Sequence, residues 1–200
     1  MKIVAVETEV TERPVKHRFV WRKGLPGSGT HNISTKLTIR TEDGLEGHAY
    51  APRGPVFVDL VERRLRGILI GQDAFLKEHL LREVWEIDRI EELPLYALGV
   101  VDIALWDLNA KFARMPLDKM IGGARDSIPA YASTVTFADT AEFLDVADQC
   151  VEYGFKAIKL HAWGDPKRDA KLGQDLRNHV GPDIELMYDG SAGFDLLDAI

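Results

Sequence analysis

The chain has 200 residues, 46% of them hydrophobic, and its 32 acidic against 25 basic residues leave a net charge of -7. That is ample material for a buried core, and an acidic balance with no cluster of basic residues excludes a nucleic-acid footprint. No run approaches the ~18 apolar residues of a membrane span, Met1 to Glu7 lacks a signal-peptide pattern, and the single cysteine, Cys150, excludes an internal disulfide. A cytoplasmic protein is expected, with Cys150 inert on an apolar helix face.

Residues 2–10 alternate as a strand, and Ile33 to Arg40 do so again. The Asp43-Gly44 turn leads into a third run, Leu45 to Tyr50, which predicts a three-stranded antiparallel meander. Between the first two strands lies a long loop, Pro14 to His31, carrying Arg18, Phe19, Trp21, Arg22, Lys23 and a glycine-rich end. Such a loop is either a solvated segment with an aromatic anchor or a flap that closes on an anionic ligand, with Trp21, Arg22 and Lys23 as substrate contacts.

After Pro55 the period becomes helical. Phe57, Leu60, Val61, Leu65 and Ile68 form one stripe ended by Gly71, and Asp73 is placed to cap a second helix bearing Leu76, Leu80, Val84 and Ile87. A third helix runs from about Leu95 to Ala113. Being apolar nearly all round, it is expected to be buried between other elements. Its two acids, Asp102 and Asp107, read as structural, pairing with neighbouring backbone and cations.

From residue 128 the pattern is strand, helix, strand, helix, strand. The first strand is Ile128 to Ser133. Asp139 or Thr140 caps a helix closed by Gly154, Asp165-Pro166 starts another closed by Gly181-Pro182, and Asp195 opens a further one. The strands begin at residues 130, 157 and 184, an equal spacing that matches one βα unit. Repeated βα units mean a parallel sheet or a barrel, with ligands at the carboxyl ends of the strands. Residues 1–125 are thus read as an α+β domain, and 126–200 as a second domain of three βα units in a parallel sheet or barrel.

The second of these strands carries the chemistry. In Gly154-Phe155-Lys156-Ala157-Ile158-Lys159-Leu160-His161, alternation puts Ala157, Lys159 and His161 on one face and Ile158 and Leu160 on the other. A cation on such a strand is costly unless it is used. The next strand ends in Asp189, so an ammonium, an imidazole and a carboxylate reach one rim. Trp163, two residues beyond His161, either packs on substrate or is structural.

Taken with Ala104-Leu105-Trp106-Asp107-Leu108, Ile121-Gly122-Gly123 and Pro129-Ala130-Tyr131-Ala132-Ser133, this arrangement resembles the enolase superfamily in its mandelate racemase/muconate lactonising branch. The resemblance covers essentially the whole chain. It implies an α+β capping domain followed by the first βα units of a TIM-like (β/α)7β barrel, and Mg²⁺ as cofactor. It also implies removal of the proton α to a carboxylate through an enediolate. Racemase-like members end the second barrel strand in Lys-x-Lys; here Lys159 matches the first lysine, and His161 stands in place of the second. Asp189 matches the first metal ligand, while Ser191 replaces the asparagine that commonly follows.

The resemblance implies Lys159 as a catalytic residue, Asp189 as a metal ligand, and a small carboxylate substrate such as an acid sugar; His161, where the family has a lysine, is read as a catalytic base because an ordinary pKa of ~6.5 suits neutral pH, with a polar substrate contact or a structural histidine as the alternatives. Dehydration is the favoured outcome, with a racemase, epimerase or cycloisomerase as alternative. Two further readings stand beside it: a metal-independent Schiff-base aldolase or lyase using Lys159, and a non-catalytic ligand-binding relative. The other metal ligands would fall beyond Ile200, so the 200 residues are expected to be the front part of a longer protein, and a homo-oligomer by analogy.

Overall fold

The computed structural model describes every residue except 16–18, 21, 23, 53, 93 and 95. It falls into two compact units: residues 1–14 with 31–126, and residues 15–30 with 127–200.

The first unit is built on an antiparallel meander of β1 (Ile3–Pro14), β2 (His31–Thr41) and β3 (Glu46–Ala51), in the order β1-β2-β3. Alternation turns Leu37, Ile39, Ala49 and Ala51 inward, and an irregularity in the β1–β2 register between Ile3 and Ala5 lets Ile3 and Val6 both be buried. The turn at Thr41–Leu45 closes as expected, with Gly44 at φ +82°, a conformation that favours glycine.

The helical run that follows has a fault in its period. α1 (Gly54–Leu60) passes into a π-helical turn, Val61–Leu65, and then into α2 (Arg66–Leu69). A π turn adds one residue to the helical repeat, so the buried stripe moves on by one. Phe57, Leu60, Val61 and Leu65 are buried as the pattern predicts, but Leu69 takes the inward place read for Ile68. Asp73 is not the cap of the next helix. Its Oδ1 accepts the Phe75 amide and the N-terminal ammonium at 3.1 Å each, and α3 starts only at Lys77 (Lys77–Glu91).

α4 (Tyr96–Ala113) buries Val101, Ala104, Leu105 and Leu108, yet Ile103 and Phe112 are each about half exposed, so within its unit the helix is covered on one side rather than all round. Asp107 does take the structural role read for it. Its Oδ2 accepts the His48 amide at 2.8 Å and Lys111 Nζ at 2.6 Å. α5 (Leu117–Met120) follows Pro116. Burial raises the pKa of Asp102.

The second unit holds a three-stranded parallel sheet, β4 (Ala132–Ser133), β5 (Ala157–Leu160) and β6 (Glu185–Tyr188), with α6 (Thr140–Glu152) and α7 (Pro166–Val180) between the strands. Both caps are where the sequence puts them: Asp139 accepts the Glu142 amide and Asp165 that of Arg168, each at 3.0 Å. Gly154 takes φ +89° at the end of α6. The first strand is shorter than read, because Pro129 has no N–H to give a ladder and Ile128 and Tyr131 lie exposed. Asp195 caps only a turn, accepting the amides of Leu197 and Asp198. The core joins Phe143, Ile158, Leu160, Leu172, Leu176 and Ile184, with Cys150 packed partly buried against it; burial raises the Cys150 pKa and keeps the thiol in its unreactive form.

Candidate active site

Parallel pairing sets the site. Ser133 is in register with Lys159, and Leu160 with Tyr188. The residues just past the strands then meet: the Asp189 amide donates to Leu160 O at 2.9 Å and the Thr134 amide to Lys159 O at 2.9 Å. Ile158 and Leu160 point into the core, so Lys159 and His161 point to the other face, as the alternation requires.

There they converge. Lys159 Nζ and His161 Nε2 each lie 3.2 Å from Asp189 Oδ2, while Asp189 Oδ1 accepts the Ser191 amide at 3.0 Å. The Ser191 amide, and then Lys159, hold the Asp189 carboxyl below its ordinary value. Asp189, with the Tyr131 hydroxyl after it, raises the pKa of Lys159. The Lys159 ammonium also sits 5.3 Å from the centre of the Tyr131 ring, a cation–π contact.

His161 is the buried member, 7% exposed. Its Nδ1 lies 2.7 Å from Thr134 O. A carbonyl can only accept, so Nδ1 carries the hydrogen, and Nε2 is the ring atom turned to Asp189. The His161 amide donates to Thr134 Oγ1 at 3.1 Å, which holds the same residue from a second side.

The loop from His161 to α7 is organised by Asp169, which is buried. Its Oδ1 accepts the Trp163 amide at 3.2 Å; its Oδ2 accepts the amides of Gly164 at 2.8 Å and Asp165 at 3.2 Å, and the Tyr188 hydroxyl at 2.6 Å. Burial, and then this bond to Asp169, raise the Tyr188 pKa. Gly164 takes φ +77°, which turns those amides inward.

The structure does not gather every residue named from the sequence. Trp163 is 8% exposed, its indole N–H donates to Phe137 O at 2.8 Å, its ring meets Phe143 edge-on, and the Arg168 guanidinium lies 3.4 Å over it. Its rim lines a hollow of about 570 Å³ shared with Phe19, Val20, Gly27, Thr136 and Phe137. Arg22 lies against the loop after β6: its Nε donates to Ser191 O at 3.3 Å, and its side chain covers Gly193. Arg18, Trp21 and Lys23 lie outside the described residues. Tyr131, Thr134, Asp169 and Tyr188 were missed; only Tyr131 carried a signal, since period two puts it on the face of Ser133.

Asp189 supplies one carboxylate to a possible cation. Among the described residues no group of three or more His, Cys, Asp or Glu side chains could hold a metal ion. The donor type suits Mg²⁺, which takes few carboxylates and fills its octahedron with water and substrate oxygens. No described helix is long and apolar enough to cross a membrane.

Residues 5–122 match the family model described as mandelate racemase/muconate lactonizing enzyme, N-terminal domain, and residues 142–200 match that described as enolase C-terminal domain-like. A curated relative, 3,6-anhydro-alpha-L-galactonate cycloisomerase of Streptomyces coelicolor, is 34% identical over 78% of the chain and 46% of its own length. Among solved structures, D-glucarate dehydratase from Agrobacterium tumefaciens complexed with magnesium is 34% identical, with TM-score 0.81 over 94% of this chain and 54% of that one. A racemase from Streptomyces coelicolor with bound magnesium is 29% identical, with TM-score 0.88 over 98% of this chain and 57% of that one. The chain spans about half the length of the curated relatives it matches. The fold is an α+β capping domain followed by the first βα units of a TIM-like barrel.

Proposed function

Because the chain belongs to the mandelate racemase/muconate lactonizing enzyme family, we propose that it serves an enzyme that removes the proton α to the carboxylate of an acid sugar with the help of Mg²⁺. The observation that carries this reading is the meeting of Lys159 Nζ and His161 Nε2 at Asp189 Oδ2.

Asp189, kept ionised by its neighbours, would hold the metal. When bound there, Mg²⁺ supplies positive charge against the substrate carboxylate, whose α proton is otherwise too weakly acidic for a side-chain base. Lys159 adds a second, fixed positive charge for the same carboxylate. With Asp189 given over to the metal, His161 Nε2 would be left with a lone pair to take up the α proton, its Nδ1–H held by Thr134 O. The raised pKa of Lys159 opposes the Schiff-base reading, which requires an unprotonated amine.

Dehydration, in which the enediolate expels a β-hydroxyl, is the favoured outcome and is supported by the likeness to D-glucarate dehydratase. A cycloisomerase is the second reading, supported by the 34% identity to such an enzyme. Both are tested by incubating the full-length protein with a panel of sugar acids in D₂O, with and without Mg²⁺. Metal-dependent loss of water to a 2-keto acid bearing solvent deuterium at the carbon that lost its hydroxyl supports the dehydratase, and an isomer of the substrate, differing from it in mass only by solvent deuterium, supports the cycloisomerase. No metal-dependent exchange across the panel overturns the proposal.

A further inference from the structure

Asp169 takes no part in the chemistry above, yet it is 4% exposed and fully engaged. It bonds the amides of Trp163, Gly164 and Asp165, which follow His161, and the hydroxyl of Tyr188, which precedes Asp189. Main-chain pairing between the two strand ends reaches as far as the Asp189 amide on Leu160 O. Past that point the Asp169–Tyr188 bond continues the tie through side chains. We infer that Asp169 is a positioning residue, which with the Tyr188 hydroxyl fixes the separation of His161 Nε2 from the Asp189 carboxylate; the inference rests on the proposed function of those two groups.

The physical reason is that both strand ends carry their functional side chain beyond the last regular pair. A rotation of the 161–165 loop would carry His161 with it, and a small twist at Tyr188 would carry Asp189. One buried carboxylate that accepts from both segments makes these displacements costly together. The backbone turn at Gly164 is part of the device, because it aims three successive amides at one acceptor.

The decisive variant is Tyr188→Phe in the full-length protein. It deletes the bridging hydroxyl while leaving the ring stacked on Phe194 at 5.6 Å and leaving Asp169 its backbone partners. The expected result is kcat for α-proton exchange lower by about tenfold with KM little changed, weaker Mg²⁺ binding by titration calorimetry without substrate, and a shifted His161 ring resonance in ¹⁵N NMR. Asp169→Asn is expected to move the same three readouts further, but it also weakens the hold on three backbone amides and so lowers stability, which leaves the phenylalanine variant to decide. If Tyr188→Phe lowers the melting temperature yet leaves kcat, Mg²⁺ affinity and the His161 resonance at parent values, the role is merely structural and the inference fails. If the parent protein neither exchanges protons nor binds Mg²⁺, the proposed function fails instead, and the His161 resonance alone reports on positioning.

Discussion

Thr134 grips His161 twice, its carbonyl accepting from the ring at 2.7 Å and its hydroxyl from the main-chain amide at 3.1 Å. The hydroxyl contact can be removed without touching the other. Thr134→Val keeps the shape but deletes that bond, so a stability loss of about 1 kcal/mol is expected, read by urea denaturation. The ring contact survives, so α-proton exchange should fall far less than it does in a variant of His161 itself.

Replacing the two charged partners of Asp189 separates their roles. His161→Asn is expected to reduce α-proton exchange by at least about 10²-fold, the usual scale for a lost acid or base, while Mg²⁺ binding persists. Lys159→Met should raise KM for the sugar acid as well as lower kcat, since it removes the substrate's fixed cation. Steady-state kinetics and calorimetry on both variants check this split.

Stability should fall on acidification in two stages. His48 has its pKa lowered by burial first and then by Lys111 and Lys36, so the unfolded chain binds the proton more readily. Its contribution is present above the ordinary histidine value and lost as pH falls through about 6.5 toward the lowered value. The depressed carboxyls of Asp73 and Asp189 act the same way at lower pH, their contributions vanishing below about 4. Melting temperatures at pH 7.5 and 5.5 are expected to differ less for His48→Gln than for the parent.

Gly47 on β3 lies where α4 comes closest to the sheet. A Cβ there would meet Ala104 O at 2.1 Å and Leu108 Cβ at 2.6 Å. The first is backbone and cannot turn aside. Gly47→Ala should therefore cost at least about 2 kcal/mol, at the upper end of ordinary overpacking, seen in chemical denaturation as a lower midpoint with an unchanged slope.

Much of this arrangement was legible in the sequence, because it depends on local rules. The caps at Asp139 and Asp165, the Asp43-Gly44 turn and the shared face of Lys159 and His161 follow from period and turn chemistry alone. The features that escaped depend on distant partners. Asp73 looks like a cap, but the N-terminal ammonium competes for it. The π turn at Val61–Leu65 left no trace in composition, though it moved the inward stripe from Ile68 to Leu69. Asp169 reads as one more helix-surface acid until its donors from Trp163 to Tyr188 are seen together.

The segment 15–30 leaves the first unit between β1 and β2 but keeps company with the second. Its Arg22 contact to Ser191 spans 169 positions of sequence. On a ribosome, the strands on either side can zip together early and Val20 can bridge Thr136, whereas the Arg22 bond must wait until the far shore of its contact has been synthesised. Loop closure over that distance is entropically costly, so the cover over the Ser191–Gly193 turn settles after the local pairing of β1 with β2.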